Sequence, residues 1–260
     1  MPSGPMSFER LMVHTPLRLR SEILKWESTL VIAPHPDDES LGCGGVIALL
    51  RQHQQPVQVL FISDGSMSHP HSQHYPAEAR RDLREQEARE ALKILGVSPQ
   101  TSTFLRLPDT QVPLPPLAQG AGVPASSGER FDEAVAAIRY HLQRIKPRTL
   151  LVPWRRDPHG DHRATWHLLR AAVARLDLAI RWLEYPIWVW ESVQAEDLPT
   201  VMDGEWFKVD ITEVLPQKRR AIAAHVSQTT SLIDDDPNGF MLSAAMIDHF
   251  TQPYEFYLSP

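Results

Sequence analysis

The sequence predicts an α/β fold with a largely parallel β-sheet flanked by helices. Short β-branched runs recur along the chain, and amphipathic stretches separate them at the spacing of crossover helices. Polar residues able to do chemistry follow several of those runs directly. In sheets of this kind ligands gather at the carboxyl ends of the strands, so the positions just after each run are where a site is expected.

Residues 1–28 show no clear periodicity and are expected to be a loosely packed lead-in. Thr29–Pro34 is the first strand, a short apolar run ended by proline. Glu39–His53 follows as a helix, with Leu41, Val46, Ile47, Leu49 and Leu50 as its apolar surface and Gly42-Cys43-Gly44-Gly45 allowing close packing. Gln58–Ser63 is the second strand, followed by Asp64-Gly65, and residues 66–76, with His69, His71 and His74, are a polar loop. Ala77–Leu95 is a helix: Ala88, Ala91, Leu92 and Leu95 fall on one face and Gly96 supplies the stop. Extending that stripe backwards places Arg84 on the inward face, with Glu87 or a neighbouring aspartate as its available ion-pair partner.

Thr103–Leu107 is the third strand, running into Pro108-Asp109. Residues 108–130, rich in Pro, Gly, Ser and Ala, are an irregular connection or lid. Phe131–Lys146 is an amphipathic helix, Thr149–Val152 the fourth strand, and His162–Ala174 a helix with Asp161 as its expected N-cap. Ile180–Tyr185 and Trp206–Val209 are further strands, and Pro216–Val226 a further helix that puts Lys218 and His225 on one face with Ala221 and Ile222. Neither a repeat nor a linker divides the chain, which is expected to be a single domain over 1–260 with its motifs between about 29 and 228.

Composition narrows the function. The net charge of -6 argues against a nucleic-acid partner. The single cysteine, Cys43, rules out an internal disulfide and fits a reducing compartment. No apolar stretch approaches membrane-spanning length, so a cytoplasmic protein without a transmembrane segment is expected, with homo-oligomerisation left open.

Two histidine–carboxylate knots carry the chemistry. Pro34-His35-Pro36-Asp37-Asp38-Glu39 follows the first strand, and Asp157-Pro158-His159-Gly160-Asp161-His162 follows the fourth. Three His and Asp ligands with a fourth position left to water make a catalytic zinc site. His35, one of Asp37 or Asp38, and His162 could supply it, and the other aspartate would then take a proton from an activated water. His159 could donate a proton or stabilise an oxyanion, with Asp161 available to orient a ring. The glycine run lacks dinucleotide spacing because position 47 is Ile.

Pro-His-Pro-Asp-Asp-Glu and Pro-His-Gly-Asp-His together resemble the zinc-dependent LmbE-like (PIG-L) N-acetylglucosaminyl deacetylases. Asp64-Gly65, Arg84, Glu87, Leu107-Pro108-Asp109, Lys218 and His225-Val226-Ser227-Gln228 agree with that resemblance. It implies a Rossmann-like three-layer fold and removal of an N-acetyl group from an N-acetylglucosamine-type conjugate. It further implies that His35, Asp38 and His162 hold Zn2+ (Fe2+ being the alternative) and that Asp37 is the general base. His159 would assist at the oxyanion or leaving amine with Asp161 beside it, and Arg84 would touch substrate. Some family members have tyrosine where this chain has Asp157, which cannot donate while ionised. Two rival readings are a non-catalytic sugar or nucleotide binder and a two-histidine, one-carboxylate iron oxygenase.

Overall fold

The computed structural model describes residues 8, 12–13, 15–116, 126–192, 194–200 and 202–260, at 126 and 127 the backbone alone. Its elements, in chain order, are β1 (Leu17–Arg18), α1 (Arg20–Ile23), β2 (Thr29–Ala33), α2 (Asp38–Gln52), β3 (Val57–Ser63) and α3 (Ala77–Ile94). There follow β4 (Ser102–Leu107), α4 (Ser126–Ile145), β5 (Thr149–Pro153), α5 (Gly160–Val173), β6 (Arg181–Tyr185) and β7 (Glu205–Asp210). The chain ends with α6 (Leu215–Ala223), α7 (Val226–Thr229), α8 (Ala244–Phe250) and β8 (Tyr254–Ser259).

The sheet order is β1-β7-β8-β6-β5-β2-β3-β4. Every pairing is parallel except those of β8, which runs antiparallel between β6 and β7. Central strands are covered on both faces, which is why β2 and β5 are buried at every residue and read as unbroken apolar runs. Side chains alternate across the sheet: Val31 and Ala33 join the core under α2 and α3, while Leu30 and Ile32 join the core under α4 and α5. The expected α/β three-layer arrangement is therefore present.

From β2 the chain steps outward to β3 and β4, then returns to the other side of β2 to lay down β5 and β6. This reversal opens a crevice between the carboxyl ends of β2 and β5, the place where such sheets bind ligands. Register fixes the pair closely, with Thr29 opposite Thr149 and Val31 opposite Leu151. The two histidine knots thus leave adjacent strands.

Two expectations are corrected, and the chain's end is filled in. The lead-in is packed: Phe8, Met12, Ile23 and Trp26 are buried, and β1 pairs with β7. The tail, to which the sequence reading assigned no element, adds α8 and β8. The helix after β5 begins at Gly160, so its N-cap is His159 and Asp161 lies in its first turn. Of the proposed lid, residues 117–125 lie outside the described residues. Among the described residues no helix is long and apolar enough to cross a membrane.

Candidate metal centre and active site

A tight turn ends β2: the backbone N–H groups of Asp37 and Asp38 both donate to His35 O, at 3.0 and 3.3 Å. The turn places Asp38 in the first turn of α2, where the helix dipole favours a carboxylate. Asp38 Oδ2 accepts the His35 N–H at 2.9 Å. It also lies 3.3 Å from His35 Nδ1 and 3.3 Å from His162 Nε2. The two ring nitrogens are themselves 3.3 Å apart. Bonds of about 2.0–2.1 Å to a tetrahedral ion set its ligands about 3.3–3.4 Å from one another, so this triangle has the size of a zinc site.

The outer nitrogens explain why the inner ones are free to bind. His35 Nε2 sits 3.2 Å from Asp161 Oδ2 and 3.3 Å from Asp109 Oδ1. His162 Nδ1 faces Asp157 Oδ1 at 3.4 Å, longer than a good hydrogen bond. Carboxylates only accept, so each neutral ring keeps its hydrogen on the outer nitrogen and turns a lone pair inward. Two ring lone pairs and a carboxylate oxygen then face one another, and only a positive charge among them relieves the repulsion. Without an ion, a proton supplies that charge. Burial alone would lower both histidines, yet the surrounding carboxylates raise His162 to about 9 and His35 well above its usual range. The residues present fit a divalent cation.

His159 can also bring a ring nitrogen near His35 and His162, within 4.8 Å. Its Nδ1, however, accepts the Asp161 N–H at 3.2 Å. That bond places the neutral ring's hydrogen on Nε2 and makes His159 a donor rather than a ligand. Burial, first, and then the charges at His162 and His35 lower its pKa to about 4; a cation at the same spot acts in the same direction.

Asp37 is buried beside the triangle, and burial raises its pKa despite Arg84 Nη2 at 3.0 Å. Arg84 also donates to Gly65 O at 2.8 Å and Pro36 O at 3.2 Å. It is inward-facing, as expected, and its partner among the carboxylates offered is Asp37. Glu87 instead accepts from the backbone and hydroxyl of Ser227.

His35, Asp37, Asp38, Arg84 and His159 line one cavity of about 340 Å3, within the range of small-molecule sites. His162 stands beneath it, fully buried. The Asp161 carboxylate orients His35 rather than His159, and is held by the N–H groups of Thr110 (2.7 Å) and Val112 (3.2 Å). Asp64 closes a turn through Ser66 N–H instead of entering the site.

Sequence reasoning left several functional residues without roles. Asp109 touches His35 and also accepts the Met67 N–H at 2.7 Å. Asp157 supports His162 and accepts the N–H groups of His159 (3.0 Å) and Trp188 (2.9 Å). Both lie within four residues of a strand's carboxyl end, the one signal that could have found them. His225 is a core histidine paired with Glu39 at 3.2 Å, and Lys218 is buried against Glu255 at 2.7 Å.

A two-histidine, one-aspartate centre at the reversal point of a parallel sheet, with a further carboxylate and a neutral histidine beside it, defines the class: a metal-site protein equipped for hydrolysis. The chain belongs to the PIG-L family of GlcNAc-PI de-N-acetylases, whose sequence model matches residues 30–173. It is 29% identical to a diacetylchitobiose deacetylase of Thermococcus kodakarensis, over 85% of this chain and 78% of the relative. Another relative, a probable N-acetyl-α-D-glucosaminyl L-malate deacetylase of Bacillus cereus, is 25% identical over 79% of this chain and 86% of its own. In fold the chain is similar to the crystal structure of N,N'-diacetylchitobiose deacetylase from Pyrococcus horikoshii, at 21% identity and a TM-score of 0.63. That match covers 98% of this chain and 93% of the other.

Proposed function

We propose that this protein is a metal-dependent hydrolase that removes the acetyl group from an N-acetylglucosamine-type conjugate, with Zn2+ as the metal. The observation that carries the reading is the 3.3 Å triangle of His35, Asp38 and His162 with Asp37 beside it and outside it. Relatives named as deacetylases support the reaction class.

Zinc held by the three ligands would polarise the amide carbonyl and make a water acidic enough to lose a proton near neutral pH. Asp37 takes that proton. Its buried carboxylate, with a raised affinity for protons, then returns it to the departing nitrogen. Arg84 fixes the orientation of Asp37 and borders the substrate on the cavity wall. Neutral His159 directs Nε2–H at the oxygen where negative charge develops. Asp161 and Asp109 hold His35, and Asp157 holds His162. The products are acetate and a free amine, the substrate a small amino-sugar conjugate and not a nucleic acid. A single domain, and the reducing cytoplasm that suits the lone buried thiol of Cys43, complete the proposal.

The test is acetate release from N-acetylglucosamine conjugates by metal-stripped protein, with and without added zinc. Release that requires zinc supports the reading. A zinc-loaded protein that liberates no acetate from any conjugate, yet binds one, would favour the binding-module alternative.

A further inference from the structure

The cavity is polar at the metal and apolar away from it. Leu41, Met67, Trp188 and Phe240 form the apolar side, with Trp188 and Phe240 edge to face at 5.5 Å between ring centroids. This wall is tied into the site. Trp188 N–H donates to Asp157, the partner of His162, and Phe240 N–H donates to Ser68 O at 2.7 Å. The apolar character continues outward: Met67 is 41% exposed, and Met241, next to Phe240, is 50% exposed. The lining also includes Gln228, whose Oε1 is buried with no hydrogen-bond partner among the described residues, an acceptor suited to a sugar hydroxyl.

Charge points the same way. Among the described residues Arg84 is the sole lysine or arginine lining the cavity, and its donors are taken by Asp37, Gly65 and Pro36. Its remaining nitrogen, Nε, is buried, with no hydrogen-bond partner among the described residues. Asp37, Asp38 and Asp109 on the lining are matched by Arg84 and a bound dication, and Asp157 and Asp161 behind the histidines add two further negative charges. An anionic group on the sugar would meet repulsion here and no free cation.

We propose that the group attached to the amino sugar is uncharged and apolar, an aryl or alkyl aglycone seated against Trp188, Phe240 and Met67. This rests on the deacetylase reading and narrows its substrate class. It separates the chain from its relative named for an L-malate conjugate.

The experiment has two arms on the zinc-loaded protein. Calorimetry compares binding of octyl glucosaminide, methyl glucosaminide and glucosaminyl malate, and acetate release is followed from the N-acetylated form of each. The octyl compound is expected to bind at least about tenfold more tightly than either other, the scale of a few methylenes placed in an apolar pocket. Trp188→Ala and Phe240→Ala are expected to bring that ratio close to one, and Met67→Gln, at a half-exposed position, to lower it without disturbing packing. Tighter binding of the malate compound, or a preference that all three variants keep, overturns the proposal. Apolar preference in binding with no acetate from any compound overturns the deacetylase reading alone. Acetate release that favours malate overturns the aglycone assignment alone.

Discussion

His162 Nε2 and His35 Nδ1 approach to 3.3 Å, and Asp38 Oδ2 stands 3.3 Å from each. With both rings neutral, two lone pairs and a carboxylate oxygen at that spacing suit a shared divalent ion. The protein is therefore expected to bind one divalent ion per chain, as read by elemental analysis. His162→Ala and Asp38→Ala should each lower occupancy severely, and chelation should lower the melting temperature of the wild type because the ion binds only the folded state. A variant lacking His162 but holding a full equivalent of metal would remove this residue from the ligand set.

His159→Gln should keep the metal and lower kcat by about 100- to 1000-fold, the usual cost of losing one oxyanion donor. Because burial and the neighbouring positive charge keep the His159 pKa near 4, the ring is neutral throughout the working range. Loss of His159 should therefore leave the position of any rate limb between pH 6 and 8 unmoved. A limb that vanished with His159 would make it a titrating acid instead.

Close packing of α2 on the sheet depends on Gly42. A Cβ there would meet Tyr185 ring carbons at 2.3 and 2.7 Å, and the ring is pinned by its hydroxyl, which donates to Ile32 O at 2.7 Å. Alanine gains about 1 kcal/mol of helix propensity, but overpacking a rigid neighbour costs about 1–3 kcal/mol. Gly42→Ala is expected to unfold at lower urea concentration than wild type. Gly160→Ala, with open space around the added carbon, supplies the control.

Asp203 anchors Arg156 and accepts the Thr200 N–H at 2.6 Å. Burial alone would raise its pKa, but the hydrogen bonds from Arg156 and Thr200 bring it to about 2. A pKa depressed on folding adds stability above the unfolded value near 3.8 and loses it as pH falls toward 2. Asp203→Asn should thus be less stable than wild type at pH 5–7, and the gap should close between about pH 4 and 2. An unchanged gap at pH 2 would assign the loss to packing.

The central fold was legible in the sequence because β2, β3 and β5 are buried on both faces and read as plain apolar runs. β8 was not: Tyr254–Ser259 includes Glu255, a residue that argues against a buried strand until Lys218 and the N–H groups of Gly45 and Val46 are seen to satisfy it. The metal triangle was legible as three ligands with two aspartates to choose between, and the choice of Asp38 came from the resemblance and not from the spacing. The supporting carboxylates were harder. Asp161 was read as able to orient a ring, but that its carboxylate faces His35 was not legible, since its Thr110 and Val112 partners come from a connection with no periodic signal. Arg84 was placed on the correct helix face, yet helix periodicity cannot say that its partner arrives from the turn after β2.

The most direct test of the account is Asp37→Asn assayed for bound metal and for acetate release in the same preparation. Full metal occupancy with turnover reduced by about 100- to 10,000-fold is the expected result, the range for loss of a positioned general base. Undiminished acetate release from the metal-loaded variant would contradict it and return the base to another residue.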